Sequence, residues 1–508
     1  MNKKKILVNI FSNWTNLITM VIISFIVSPI IVNRLGNELY GIWVLMVSIT
    51  GYFTVLDFGV NTAIVRYISK YVAEENFGKA REVYSTSFVF FLLIGTVVFI
   101  ITIIIAFFFQ SIFDIKILSR TYLFLVFIIV GSDLAFGLIL SVFPGTLAGL
   151  QEYFRLNLIS ISISIIRSVI LVWFLISGYG LLTLAVIQIS ATILKVFFQF
   201  WVVKKNYDFL QLDFSTLNRP MMRQIYNHSI YSFIISIAQK LLFYTDSIVI
   251  GSVLTISVIV YYSIPATLMD YVNKFMWSMI SVLIPVVSSQ ERANNSEKNI
   301  YLYVLGTKYS LAICIPIIFI LFTVGKDFIA LWMGPEYGLR SAMVLRILLT
   351  GYLFAFSQMI AHALLKGISK HRILSFMFIG EAVSNLILSL ALAKPYGIEG
   401  VALGTMIPMI IVNFILIPIY VCNLLGLNFR KYIYEAFFAP LVGLFSSIML
   451  FYYYPIQVSS YLDLILYSLL SLVVFIIYDF TFVLEKVHRT MIFNSRRHLF
   501  STIGLVKK

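Results

Sequence analysis

Long apolar runs alternate with short polar segments along almost the whole chain. Each run is about twenty residues long, the length that a helix needs to cross the hydrocarbon core of a bilayer. A membrane barrel would instead alternate apolar and polar residues over segments of roughly ten. The pattern predicts an all-helical, polytopic membrane protein with about fourteen transmembrane helices. The predicted spans are 7–32, 40–66, 84–109, 118–143, 156–177, 181–203, 228–251, 256–288, 301–324, 341–365, 373–394, 399–424, 433–454 and 462–484.

Composition agrees with a membrane protein and disfavours several other classes. Hydrophobic residues make up 60% of the 508 residues and charged residues only 12%, against roughly 25% charged in soluble domains. The net charge of +15 is spread between the apolar runs and not gathered on one face, so no nucleic-acid partner is expected. Cys314 and Cys422 both lie in apolar runs, which indicates packing and neither a disulfide nor a metal site.

The distribution of Lys and Arg predicts the topology. Basic residues collect in alternate links, which the positive-inside rule assigns to the cytoplasm. Both termini are therefore expected in the cytoplasm, with the chain in the bacterial cytoplasmic (inner) membrane. The first apolar run lacks a small-residue cleavage site, so we expect a retained helix and not a signal peptide. The basic inner segments are 66–83, 204–227, 366–372, 430–431 and the tail from 486.

A weak internal duplication indicates the domain organisation. Shifting the chain by 217 residues places 151–155 on 368–372 and Tyr179–Gly180 on Tyr396–Gly397. Repeats of this kind place a substrate site between two halves and permit alternating access. The predicted domains are an N-terminal six-helix lobe, a cytoplasmic loop, a second six-helix lobe, and a final helix pair with a basic cytoplasmic tail, at 1–205, 206–227, 228–425 and 426–508.

Ionisable residues inside predicted spans are the main functional signal, because charges at mid-membrane usually face a bundle interior or a wet cavity. Several lie on polar faces with helical spacing, such as Gln188, Thr192, Lys195 and Gln199 in the sixth span. The first span has an uncharged polar face of Asn9, Asn13 and Asn16. The predicted cavity cations for substrate are Arg167, Lys195, Lys240 and Lys274, and the predicted charge partners or coupling carboxylates are Asp133, Asp246, Asp270 and Glu381.

Some of these charges have a purely structural interpretation. Asp270 and Lys274 are four residues apart and could neutralise each other on one helix. Lys195 lies toward the inner end of its span and could extend its ammonium to the interface. Asp246 and Glu381 could be counter-ions of the mid-depth cations or could couple transport to an ion.

No enzyme signature occurs in the chain. There is no G-x-x-x-x-G-K-[ST] loop, no H-E-x-x-H motif and no paired-cysteine metal spacing. We therefore expect that the chain is not an enzyme and uses no cofactor. Any energy for transport would come from a substrate or ion gradient.

Several segments resemble one known family. These are Arg34–Gly41 (RLGNELYG), Leu56–Gly59 (LDFG), residues 147–155 (LAGLQEYFR) and 245–251 (TDSIVIG). Together they resemble Wzx-type oligosaccharide flippases over about residues 1–430. The resemblance implies the multidrug/oligosaccharidyl-lipid/polysaccharide exporter superfamily, with two six-helix lobes in an inverted V around a central cavity. It also implies an undecaprenyl-pyrophosphate-linked sugar repeat unit as substrate.

The sequence therefore predicts a flippase for O-antigen, capsule or exopolysaccharide units. Expected partners are the lipid-linked anionic oligosaccharide, membrane lipids, and the polymerase and glycosyltransferases of the same pathway. One alternative is an ion-coupled multidrug exporter, although the acidic residue typical of the first helix is absent from 7–32. Another is a membrane-embedded polymerase or ligase, but such enzymes usually have a large outer loop, and the longest outer link here is about 325–340.

Overall fold

A computed structural model describes residues 3–214, 219–280, 296–368, 370–453 and 458–490. Every regular element in these ranges is helical, so the all-helical prediction is confirmed for them. The α-helices are α1 Lys3–Tyr52, α2 Val60–Ala73, α3 Phe77–Ile112, α4 Arg120–Ile139, α5 Val142–Gly149, α6 Tyr153–Ile176, α7 Leu181–Asn206, α8 Arg219–Val253, α9 Ile259–Ile280, α10 Ser296–Met333, α11 Pro335–Ser357, α12 Met359–Gly367, α13 His371–Ile410, α14 Ile417–Leu425, α15 Phe429–Tyr453 and α16 Tyr461–Tyr478.

Short non-α segments extend four of these helices. Phe53–Asp57 and Ile256–Val258 are 3₁₀ helices, and Ile411–Leu416 and Asp479–Val483 are π-helical. The predicted basic tail beyond residue 490 and the end of the predicted 256–288 span lie outside the described residues.

The described residues contain ten stretches long and apolar enough to cross a membrane, which makes this a multi-pass membrane protein. Two of the stretches, Val8–Ala73 and Arg372–Leu425, are far longer than one crossing needs. Each contains a glycine with positive φ, Gly36 at 74° and Gly397 at 62°, a conformation that favours glycine. Both breaks fall in predicted links between spans. The charged helices α8 and α9 are not among the ten, and the number fourteen remains a prediction.

The internal duplication extends to the helix boundaries. In the first half α4 ends at Ile139 and α5 begins at Val142; in the second half α11 ends at Ser357 and α12 begins at Met359. Val142 and Met359 are 217 positions apart, the offset found in the sequence. Each half therefore has the same interrupted fourth helix.

One compact unit consists of Met1–Ser263 with Phe378–Gly404. Within it α1 packs along α6 and α8, and α7 packs against both α4 and α6. This arrangement brings the charged side chains of α4, α6 and α7 together.

The other compact unit consists of Ile264–Met377 with Thr405–Lys508. Within it α15 and α16 pack against α10, and the Tyr467 hydroxyl donates to Thr323 Oγ1 at 3.0 Å. The last helix pair is thus an integral part of this unit. The boundaries of the two units differ from those of the predicted lobes. The units consist of helices that pack together, whereas the lobes were predicted from the order of the spans along the chain. The six-plus-six lobes remain a prediction.

Candidate functional site

Three neighbouring helices of the first unit bring four polar side chains together. The Gln188 amide of α7 donates from Nε2 to Asp133 Oδ2 of α4 at 3.1 Å. Arg167 of α6 donates from Nη1 to the Oε1 of the same amide. Lys195 interacts electrostatically with both Asp133 and Arg167. We call Asp133, Arg167, Gln188 and Lys195 the charge cluster.

The position of α7 explains why the charge cluster forms. Gln188 and Lys195 are seven residues apart on α7, about two helical turns, so they lie on one face. Because α7 packs against both α4 and α6, this face can contact a carboxylate on one neighbour and a guanidinium on the other.

Counted by formal charge, the two cations and one carboxylate of the charge cluster give one net positive charge. Asp133 Oδ1 and Arg167 Nε are buried and have no hydrogen-bond partner among the described residues. Unpaired buried polar atoms are costly, so a ligand that supplied acceptors to the guanidinium would be stabilised there. Among the ion pairs of the described residues, none joins Arg167 or Lys195 to an acidic side chain.

Lys240, another predicted cavity cation, lies on α8 where this helix packs against α1. Its ammonium is 5.4 Å from the centre of the Tyr244 ring, within the range of a cation–π contact. The Tyr244 ring is in turn 5.8 Å from that of Tyr52. The hydroxyl of Tyr52 hydrogen-bonds with Thr245 at 2.6 Å. Aromatic rings and hydroxyl groups therefore lie next to Lys240.

Asp246 lies in a buried polar site formed by α8, α9 and α13. It is 4% exposed and accepts hydrogen bonds from the Tyr262 hydroxyl and from Asn385 Nδ2 at 3.4 Å. Glu381, one turn before Asn385, is 2% exposed. Sequence reasoning missed Tyr262 and Asn385, although the spacing of Asn385 from Glu381 placed both on one face of an apolar helix. Among the described residues, no three metal-ligating side chains converge.

The predicted pair on α9 is present. Lys274 Nζ lies 2.6 Å from Asp270 Oδ2, the ion pair expected from their separation of four residues. About half of the Lys274 side chain is exposed, 54%.

The predicted polar face of the first span serves mainly to attach α1 to the start of α6. Asn9 Nδ2 donates to Gln151 O at 2.9 Å, and Asn157 Nδ2 donates to Asn13 Oδ1 at 2.6 Å. Asn16 Oδ1 is buried without a hydrogen-bond partner among the described residues. The amides of Asn9 and Asn13 therefore take part in helix packing, and a wet cavity along this polar face remains a prediction.

An ion pair outside the membrane-spanning segments supports the same attachment. Lys5 Nζ lies 3.0 Å from Glu152 Oε1. Burial raises the pKa of Glu152, but the hydrogen bond and charge of Lys5, with Tyr207 and Arg155, outweigh it and hold this pKa below the usual value. Burial and the negative charge of Glu152 raise the pKa of Tyr207 to about 12.

Comparison with known proteins identifies the family. A family model described as polysaccharide biosynthesis protein matches residues 6–290, more than half of the chain. A candidate O-antigen transporter of Shigella flexneri is 20% identical over 382 residues, which cover 74% of this chain and 88% of that protein.

Solved structures show the same fold at low sequence identity. The lipid II flippase MurJ in an inward closed conformation is 16% identical with a TM-score of 0.67, over 92% of this chain and 97% of that one. An inward-facing multidrug resistance transporter of the MATE family is 15% identical with a TM-score of 0.67, over 80% of this chain and 96% of that one.

These matches agree with the residues that resembled Wzx-type flippases and with the helical membrane architecture. The chain belongs to the polysaccharide biosynthesis protein family and has the fold of the multidrug/oligosaccharidyl-lipid/polysaccharide exporter superfamily.

Proposed function

We propose that this protein is a flippase that moves undecaprenyl-pyrophosphate-linked oligosaccharide units across the bacterial cytoplasmic membrane by alternating access. The units would be precursors of O-antigen, capsule or exopolysaccharide. Both termini would lie in the cytoplasm, and the chain itself would carry out no covalent chemistry.

The net positive charge cluster carries this proposal. Arg167 and Lys195 share the single carboxylate of Asp133 inside a transmembrane unit, where an uncompensated cation is costly. A pyrophosphate group is multiply anionic, and a guanidinium binds phosphate oxygens with charge-assisted hydrogen bonds. Binding of such a headgroup would offset the excess charge and satisfy the unpartnered Arg167 Nε.

The other predicted residues take secondary roles in the proposal. Lys240, beside Tyr244, and Lys274, paired with Asp270, are further candidate cations for the substrate. Asp246 and Glu381, both buried, are candidate coupling carboxylates. A polymerase and glycosyltransferases that process the same lipid-linked units are the expected partner proteins.

Replacement of the cations tests the proposal. Arg167→Ala and Lys240→Ala should each abolish surface polysaccharide export in cells while membrane levels of the protein stay normal. Arg346→Ala is a matched control, since Arg346 is exposed and its Nε donates to Phe322 O of the neighbouring helix α10 at 3.3 Å. If both Arg167→Ala and Lys240→Ala export polysaccharide like the wild type, the assignment of these cations to the substrate site is wrong.

A deletion strain distinguishes the flippase from an ion-coupled drug exporter of the same fold. Loss of surface polysaccharide with an unchanged drug-resistance profile is expected. Changed resistance with intact polysaccharide would favour the exporter.

A further inference from the structure

Gln188 was not among the predicted site residues, yet it is the side chain that connects the opposite charges of the charge cluster. Its amide donates to Asp133 and accepts from Arg167. No direct ion pair between Arg167 and Asp133 is among the salt bridges of the described residues.

We propose that Gln188 is a positioning residue that holds the Arg167 guanidinium ready for the anionic headgroup of the substrate. The inference rests on the proposed function, since it gives Gln188 a role in binding the same anion. Gln188 would act through Arg167 and would not contact the substrate itself.

The chemistry of the two partners fixes the orientation of the amide. A carboxylate only accepts hydrogen bonds, and a guanidinium only donates them. Gln188 must therefore present its NH₂ to Asp133 and its oxygen to Arg167, and rotating the amide by half a turn would break both bonds. Asp133 thus determines which amide atom Arg167 meets.

A neutral adaptor preserves the anion affinity of the guanidinium better than a direct ion pair would. Gln188 occupies Nη1 of Arg167 with a neutral acceptor, so the positive charge is not cancelled at contact distance. Arg167 Nε remains without a hydrogen-bond partner in the described part of the chain. A planar guanidinium with one edge held and another donor unsatisfied is preorganised for phosphate oxygens.

Binding of inorganic pyrophosphate to the purified full-length protein, measured by calorimetry, provides the test. Gln188→Met keeps the length of the side chain and removes both hydrogen bonds. It should weaken pyrophosphate binding about tenfold, since the charge-assisted hydrogen bond that positions the guanidinium is lost together with the bond to Asp133. Gln188→Glu, which brings the charge cluster to neutrality, should weaken binding more than Gln188→Met does.

A double-mutant cycle separates positioning from direct contact. In an Arg167→Gln background, the further change Gln188→Met should leave pyrophosphate binding unaltered, because the group that Gln188 holds is gone. Gln199→Met is the matched control on the same face of α7, since Gln199 is buried and its Oε1 has no hydrogen-bond partner among the described residues. It should bind pyrophosphate like the wild type.

The outcomes that overturn the inference are distinct from those that overturn the proposed function. If Gln188→Met and Gln188→Glu bind pyrophosphate like the wild type, or if Gln188→Met has the same effect with and without Arg167, Gln188 does not act through Arg167. If instead Arg167→Gln itself leaves both pyrophosphate binding and polysaccharide export unchanged, the anion site fails, and the inference fails with it.

Discussion

The fourth predicted spans of the two halves are interrupted at equivalent positions, but different residues accompany the two interruptions. In the first half α4 ends at Ile139, and Pro144 follows. Proline has no N–H to donate to the carbonyl of Leu140, and its ring clashes with that carbonyl, so Pro144 disfavours a continuous α-helix at this position.

In the second half the interruption is accompanied by a buried side-chain network. At the interruption Gln358 is fully buried, accepts a hydrogen bond from Tyr303 at 3.0 Å and donates to Tyr432 at 2.9 Å. The residue equivalent to Pro144 at the offset of 217 is Ala361. A proline therefore accompanies the interruption in one half, and a buried hydrogen-bond network accompanies it in the other.

The two halves also differ in the charged residues that they place at equivalent positions. At the offset of 217, the members of the charge cluster correspond to residues without charge, which are Thr350, Ser384, Thr405 and Val412. The duplication thus repeats the fold and not the charges. Under the proposed function, the first half is specialised at these four positions to bind the anion, while Lys240 and Lys274 remain further candidate cations of the second half. Four predictions concern residues at equivalent positions of the two halves.

The largest effect is expected from removing both cations of the charge cluster. Arg167→Ala/Lys195→Ala should lower polysaccharide export more than about 100-fold, because two charge-assisted contacts to the headgroup are lost. The matched pair in the second half, Ser384→Ala/Val412→Ala, should retain most of the export. Equal losses in both pairs, measured at equal protein levels, would contradict the specialisation of the first half.

The next effect concerns stability at the interruption. Gln358→Leu should lower the free energy of unfolding by about 2 kcal/mol, since it leaves the hydroxyls of Tyr303 and Tyr432 short of a buried partner. Ser141→Ala, at the equivalent position, should cost at most about 1 kcal/mol, because the Ser141 hydroxyl donates only to Leu138 O nearby. Thermal unfolding in detergent measures both, and a larger loss for Ser141→Ala would show that the buried network does not stabilise the second interruption more than Ser141 stabilises the first.

A smaller effect is expected from removing the acidic member of the charge cluster. Asp133→Asn keeps an acceptor for Gln188 and raises the net charge of the cluster, so pyrophosphate should bind about tenfold more tightly. Thr350→Val, at the equivalent position, should leave pyrophosphate binding unchanged. Weaker binding by Asp133→Asn, measured by calorimetry, would show that the carboxylate assists the anion and does not compete with it.

The smallest effect concerns Glu152, whose counterpart in the second half is the uncharged Ser369. Glu152→Gln should lower stability by up to about 1 kcal/mol at neutral pH. Burial raises the pKa of Glu152, but Lys5 and the other partners hold it below the ordinary value of 4.5. The stabilisation is therefore present above pH 4.5 and is lost as the pH falls through the lowered pKa.

Thermal unfolding of wild type and Glu152→Gln across this pH range checks the prediction. The two proteins should converge at the acidic end of the range. A stability difference that persists at the lowest pH would indicate that Glu152 acts by packing and not by charge.

Much of the site was predictable as a set of residues but not as an arrangement. Helical spacing placed Gln188 and Lys195 on one face of the sixth predicted span. Their position within an apolar run marked them as unusual, because polar side chains are costly in a membrane. The pairing of Asp270 with Lys274 followed from a separation of four residues. The same spacing rule did not predict the hydrogen bonds of Asn9 and Asn13, because a polar face is equally suited to a cavity and to a neighbouring helix.

The amino-acid sequence alone determined that this is a helical membrane protein, and it placed Gly36 and Gly397 in links between predicted spans. These features depend on hydropathy, backbone freedom and local spacing, all of which act over short stretches of chain. Only the tertiary structure decided that Asp133, Arg167 and Gln188 meet, and that Asp246 bonds to Tyr262 and Asn385. Those contacts join residues from different helices, and their partners depend on how the helices pack.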